Sequence, residues 1–409
     1  VQSVHTSVLR RVLAGAVALG TVAALAVGCA TASARSPRDS AAAGTQQAAP
    51  APEAIIPVVS VQPAADTADF GPASSVSAST TAGTLRDVAL TSSRGTSVAG
   101  TLSADGRQWT ATEPLGYGTD YTWSGSAVAP DGSATPLTGS FSTVSPTRTV
   151  RAWTNIADGA TVGVAAPIEI SFSRDLSDEA KAEVERTLAV TTSVPVEGAW
   201  AWLPDGPDGS RVHYRPKEYW PANTQVGVSA KIYGHDLGAA GFGKADVAST
   251  FTIGRSQIVK AAEDSHHIVV VRDGLQVMDL PASYGMESDP NRVTRNGVHI
   301  VMAKSEKVLM SNPAYGYENV PEYWAVRISN NGEFIHANPA STSAQGRRNI
   351  SHGCINLSTA NAKAYFDTAL YGDPVEVTGS SVPLSAEDGD VYDWTIPWDR
   401  WKAMSKLAA

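Results

Sequence analysis

The residues best suited to chemistry sit in one octet, Ser351-His352-Gly353-Cys354-Ile355-Asn356-Leu357-Ser358. Its cysteine is one of two in the chain, the other being Cys29 near the opposite end, so no disulfide framework is expected. An unpaired thiol is open to oxidation and mispairing wherever the surroundings are oxidising, and its presence beside Gly353 points to use. Gly353 permits unusual dihedrals and close backbone approach, which lets the Gly353 and Cys354 amides aim at a developing oxyanion. A thiol nucleophile also needs a base. His336, eighteen residues upstream at the end of the β-type run Glu333-Phe334-Ile335, is the expected base, returned to Cys354 by a strand, loop and turn. Ala337 has no polar side chain, so a backbone carbonyl or another residue must orient the imidazole. His352 shares a strand face with Cys354 and is read as a catalytic support that shapes the pocket, with service as the base its alternative. One thiol and two histidines fall short of a metal-ligand set, so no metal is expected.

These groups need elements to hold them. The runs at 267–271 and 275–278 flank Asp273-Gly274, a hairpin signal. Further strands are predicted at 297–303, 324–329 and 334–335. Residues 358–370 read as a helix stopped by Gly372 and Asp373-Pro374, and its N-terminus is expected to favour negative charge near the sulfur. Val375-Glu376-Val377-Thr378 closes a mixed-β catalytic domain over 254–379, with one helix after the nucleophile. In the C-terminal extension, 380–409, Trp394, Trp398 and Trp401 recur at helical spacing. This stripe is expected to pack on the catalytic domain, with sugar stacking the alternative.

Upstream, short β-type runs alternate with turn signals over 56–147, and 148–253 echoes them. Asp205-Gly206, Tyr214, Pro216 and Tyr219-Trp220 answer Asp105-Gly106, Trp109, Pro114 and Tyr117. Two tandem β-sandwiches follow, the second with a helix capped by Ser177, and the fold class is mainly β. Neither module carries a nucleophile–base pair; both are read as spacers. A net charge of −9 without a basic cluster excludes nucleic acid as a partner. Residues 31–55, rich in Ala, Ser, Pro and Gln, read as a disordered tether. Residues 1–30 read as an export signal, with Arg10-Arg11 before an apolar run that ends in small residues at Cys29. Lipidation of Cys29 is expected, a cleaved signal or an uncleaved anchor being the alternatives. This places the protein in the cell envelope, on the outer face of the cytoplasmic membrane and touching it only through that anchor.

His336 together with Ser351-His352-Gly353-Cys354-Ile355-Asn356 resembles the signature of the L,D-transpeptidase catalytic domain (YkuD type), over about 255–380. The histidine-before-cysteine order argues against papain-like cell-wall endopeptidases. With the export signal, the paired β modules and the Trp-rich tail, the chain resembles the actinobacterial form, which implies two immunoglobulin-like domains. The resemblance implies that Cys354 attacks the third-residue carbonyl of a peptidoglycan tetrapeptide stem and expels D-Ala. The side-chain amine of diaminopimelate on an acceptor stem then forms a 3→3 cross-link. Carbapenem β-lactams are implied as inhibitors, and no cofactor is needed. A flap at about 302–323 is implied over the donor site, with Tyr317 near the acyl carbonyl and Tyr315 its alternative. Asn331, Gly332, Ser351 and Asn356 are the implied substrate-binding residues; Asn331-Gly332 also reads as a hairpin turn. Two departures stand out, Arg295 where proline is common and Ala337 beside the base. The alternative functions are L,D-carboxypeptidase or endopeptidase action at the same site, and a wall-binding scaffold with a vestigial site.

Overall fold

Strands that bury alternate side chains are the main regular element of the chain. Gln225–Ala230, for example, buries Val226, Val228 and Ala230 and turns Gln225 to solvent, the period of a half-buried sheet. The computed structural model describes residues 55–385 and 391–407. The segment expected to direct export, with Cys29, and all but the last residue of the expected tether lie outside them.

The first sandwich sets the sheet Val59–Gln62, Ser77–Thr80, Gln108–Ala111 and Gly100–Leu102 against a second sheet of Thr84–Ser92, Asp120–Val128, Ala134–Pro136 and Gly139–Ser142. Trp109 and Trp123, one from each sheet, meet edge to face at 5.3 Å. The second sandwich has two four-stranded sheets closed over Ile168, Phe172, Trp220 and Phe251. Its helix, Asp178–Thr187, starts where Ser177 accepts the Ala180 amide at 3.3 Å.

The last domain is built from β1 (Gln257–Ala262), β2 (His267–Arg272), β3 (Leu275–Pro281), β4 (Gly297–Ile300), β5 (Ala303–Asn312), β6 (Tyr317–Arg327), β7 (Phe334–Ala337), β8 (Ile355–Leu357) and β9 (Pro374–Thr378). One sheet runs β3-β2-β1-β9-β4 and the other β5-β6-β7-β8, with β1/β9 and β7/β8 parallel. The β2–β3 turn places Asp273 and Gly274 both at positive φ, 50° and 82°, as a two-residue hairpin of type I′ requires. β5 and β6 form the long flap hairpin. The helix Thr359–Thr368, capped by Ser358, follows β8.

The C-terminal extension departs from expectation. Trp401 is buried with Ala201 and Leu203, and its indole donates to the Ala199 carbonyl at 2.9 Å. These partners belong to the second sandwich, not to the catalytic domain. The cause is Arg215, whose guanidinium lies 4.8 Å, 5.2 Å and 4.8 Å from the Trp394, Trp398 and Trp401 rings. Buried Asp393 adds a 2.9 Å contact to buried His213. The extension touches the catalytic domain as well, where the Asn296 amide donates to the Val382 carbonyl at 2.7 Å and Asp393–Thr395 lies against Gly297–Ile300.

Candidate active site

Parallel pairing explains how residues far apart in sequence meet. His336 on β7 lies opposite Asn356 on β8, and paired residues share a face. Cys354 stands two residues before Asn356, so the thiol rises beside the imidazole. Both line a cavity of about 330 Å³, with Tyr317, Glu322, His352 and Asn356 among its walls.

His336 is buried, and its Nδ1 lies 3.0 Å from the Ala337 carbonyl and 3.1 Å from Glu322 Oε2. Both neighbours are pure acceptors, so Nδ1 carries a proton and Nε2 is left for Cys354. Burial opposes the charged ring. Its hydrogen bonds to Cys354 and Glu322, and their negative charges, outweigh that cost and push the imidazolium pKa up to about 10. The orienting group left open by the sequence is therefore double, a backbone carbonyl and a flap carboxylate. Glu322 carried no signal in the sequence.

The turn before Cys354 is held from several sides. Ser351 donates its hydroxyl to the Cys354 carbonyl at 2.5 Å and accepts the Gly353 amide at 3.2 Å. Thr294 donates to the Gly353 carbonyl at 2.9 Å, and Arg292 donates to the carbonyls of Ser351 and Ile350. Two expectations are corrected here. The Gly353 amide is spent within the turn, so it is not aimed at an oxyanion, and the Ser351 hydroxyl is likewise spent rather than offered to substrate. The Cys354 amide has no hydrogen-bond partner among the described residues, and it is the donor left for an oxyanion. A third correction concerns the helix. β8 stands between Cys354 and Thr359, a separation of about 10 Å that takes the sulfur outside the reach of the helix end.

Gly353 has φ +113°, and a β-carbon there would lie 3.3 Å from the Val293 carbonyl oxygen. Gly353→Ala is expected to cost about 1–3 kcal/mol of strain and to displace the thiol. Alkylation of the Cys354 thiol by iodoacetamide, read from the mass of its peptide, should slow at least about tenfold beside a lowered melting temperature. Wild-type values for both would show that the turn tolerates a side chain.

The remaining residues divide. Tyr317 lines the cavity, while Tyr315 latches the flap tip through its hydroxyl to Asp289 Oδ2 at 3.1 Å. Both rings lie against His352, at 4.7 Å for Tyr315 and 5.6 Å for Tyr317. His352 is solvent-accessible, and partial desolvation and the Arg292 charge hold its pKa below the ordinary value. It thus presents a neutral ring to the pocket. Gly332 offers its carbonyl to Cys354 Sγ at 3.7 Å. Asn331 is exposed on the β6–β7 turn and does not line the cavity. Asn356 is buried, and its Oδ1 lacks a hydrogen-bond partner among the described residues. Arg295 donates its backbone amide to buried Glu333 at 3.0 Å behind Gly353. No group of three or more metal-ligating side chains occurs among the described residues.

Residues 256–377 match the L,D-transpeptidase catalytic domain family, and residues 67–236, across both sandwiches, match the bacterial Ig domain family. L,D-transpeptidase 5 of Mycobacterium tuberculosis is 54% identical over 351 residues, 86% of this chain and 77% of that protein. L,D-transpeptidase 2 of the same species is 38% identical over 338 residues, 80% of each chain. A solved structure of the LD transpeptidase LdtMt1 in complex with imipenem is 31% identical, with a TM-score of 0.47, and covers 55% of this chain and 97% of that one.

Proposed function

The chain belongs to the L,D-transpeptidase family, and from that premise we propose that it forms 3→3 cross-links between peptidoglycan stem peptides through an acyl-enzyme on Cys354. The observation that carries this reading is the buried His336, anchored at Nδ1 by two acceptors, beside a partly exposed thiol in a cavity.

The Cys354 thiolate attacks the third-residue carbonyl of a tetrapeptide stem, and the Cys354 amide takes the developing oxyanion. The imidazolium of His336 gives its proton to the departing D-Ala amine as the C–N bond breaks. A thioester remains. The side-chain amine of an acceptor diaminopimelate then attacks it, His336 takes the amine's proton, and the thiolate leaves. No cofactor enters this cycle. The unpartnered Asn356 Oδ1 supports a stem-peptide contact, since a buried acceptor without a donor is costly, and a substrate N–H would satisfy it. Tyr317 and the neutral His352 would wall the acyl carbonyl. Thiolate attack on a strained lactam follows the same path, which supports carbapenems as acylating inhibitors. The export segment ending at Cys29 supports a lipid-anchored place in the envelope, outside the cytoplasmic membrane.

The test is incubation of the purified chain with a disaccharide tetrapeptide, alone and with an acceptor tripeptide, followed by tandem mass spectrometry. D-Ala release with a dimer linked through two third residues is expected. Free tripeptide alone, with acceptor present, would assign a hydrolase; an unchanged donor would assign a scaffold.

A further inference from the structure

The β6–β7 ladder contains an irregularity that aims a side chain. Arg327 pairs with Phe334 and Val326 with Ile335, but the register then shifts and Tyr323 pairs with Ala337. β6 spends one extra residue there, at a bulge where Trp324 takes φ +51°. In an unbroken ladder Trp324 would oppose Ala337, and Glu322 would project from the face opposite His336, because side chains alternate. The extra residue reverses this and brings Glu322 Oε2 to 3.1 Å from His336 Nδ1. Trp324 fixes the bulge by packing edge to face on Phe366 at 5.5 Å, with Lys363 Nζ over its ring at 4.8 Å.

The Ala337 carbonyl, 3.0 Å from Nδ1, already suffices to set the tautomer. What the carboxylate adds is charge, in a setting where its side chain is only 16% exposed. A charge-assisted hydrogen bond is stronger than a neutral one and favours the protonated ring. The carboxylate is carried on the flap, whose residues Met310, Tyr317 and Val320 line the same cavity.

We propose, building on the cysteine acyl-transfer reading, that Glu322 is a positioning residue that completes a Cys354–His336–Glu322 array, holding the imidazolium opposite the Cys354 thiolate. It takes no proton itself; the proton stays on Nδ1 throughout the cycle. Glu322 is the one acidic side chain among the described residues lining the cavity, so its competing role is to hold the ammonium group of the acceptor. The two roles make opposite demands on a reaction that involves no acceptor.

That reaction is alkylation of Cys354 by iodoacetamide, followed through the mass of the Cys354-containing peptide from about pH 5 to about pH 10 on the full chain and its variants. Glu322→Gln keeps an acceptor but removes the charge. It is expected to slow alkylation at neutral pH about fivefold or more and to move the rise in rate toward alkaline pH. Carbapenem acylation should fall in parallel. Glu322→Asp, which keeps the charge on a shorter arm, should recover part of the loss. A Glu322→Gln profile that overlays the wild type, with only the amine-dependent step slowed, would overturn the proposal in favour of acceptor binding. Loss of melting temperature in all variants without recovery by Glu322→Asp would overturn it in favour of a structural role. Failure of the parent reading shows separately, as a wild-type chain that forms no acyl adduct.

Discussion

Cys354→Ala is expected to leave no covalent adduct after exposure to a carbapenem and no cross-linked product from stem peptides, a fall of about four orders of magnitude or more. The argument rests on supply as much as on position. The chain holds two cysteines, and the other, Cys29, lies far from the catalytic domain in the sequence. The cavity offers no equivalent nucleophile: the Ser351 hydroxyl is committed to the Cys354 carbonyl and the Gly353 amide. Tyr317 is held in its protonated form by burial and by the charges of Cys354 and Glu322, which raise its pKa. Removing one partly exposed sulfur should change stability by about 1 kcal/mol or less, so the melting temperature stays near the wild type and the loss is chemical. Intact mass of both proteins after the same incubation decides it. A stoichiometric adduct on the alanine variant would place the nucleophile elsewhere and remove the basis of the mechanism.

What the sequence made legible depended on whether the information was local. Ser351 to Asn356 place nucleophile, turn and pocket residues in one contiguous block. Ser177 announces its helix by its own side chain and caps it as expected. Asp273-Gly274 names its turn type directly. Glu322 was hidden because its orientation depends on a bulge two residues away, which exists only once β6 and β7 are paired. Thr294 and Arg292 hold the carbonyls of the turn before Cys354 from a loop some sixty residues upstream, with no periodicity to mark them. The tryptophan stripe was visible as an apolar face, but its partner Arg215 lies in another domain. Spacing gives a side chain's neighbours on its own element, and tertiary pairing decides what that face meets. The spent Gly353 amide is the same lesson at atomic scale, since the Ser351 hydroxyl three bonds from its own backbone competes with substrate for it.

His336→Gln is expected to slow acylation by about two to four orders of magnitude, the range of a lost general acid–base group, and to change the shape of its pH dependence. The wild-type ring is held as imidazolium with its pKa pushed up to about 10. The form that protonates the departing amine is therefore present through neutral pH and lost as pH rises through about 10, giving the acylation profile an alkaline falling limb. Glutamine fills the site and can still bond Glu322 or Cys354, yet it carries no titrating proton, so that limb should disappear. Stability provides a second reading of the same group. A histidine whose folded pKa exceeds its ordinary 6.5 contributes stability that is fully present below pH 6.5 and is lost as pH climbs to about 10. The wild-type melting temperature should fall across that window by more than that of His336→Gln. His336→Ala should be less stable than His336→Gln, because it leaves the Glu322 carboxylate, at 16% exposure, without its partner. If His336→Gln retained both the rate and the alkaline limb, the base would be another residue, and His352, the remaining histidine of the cavity, would be the one to replace next.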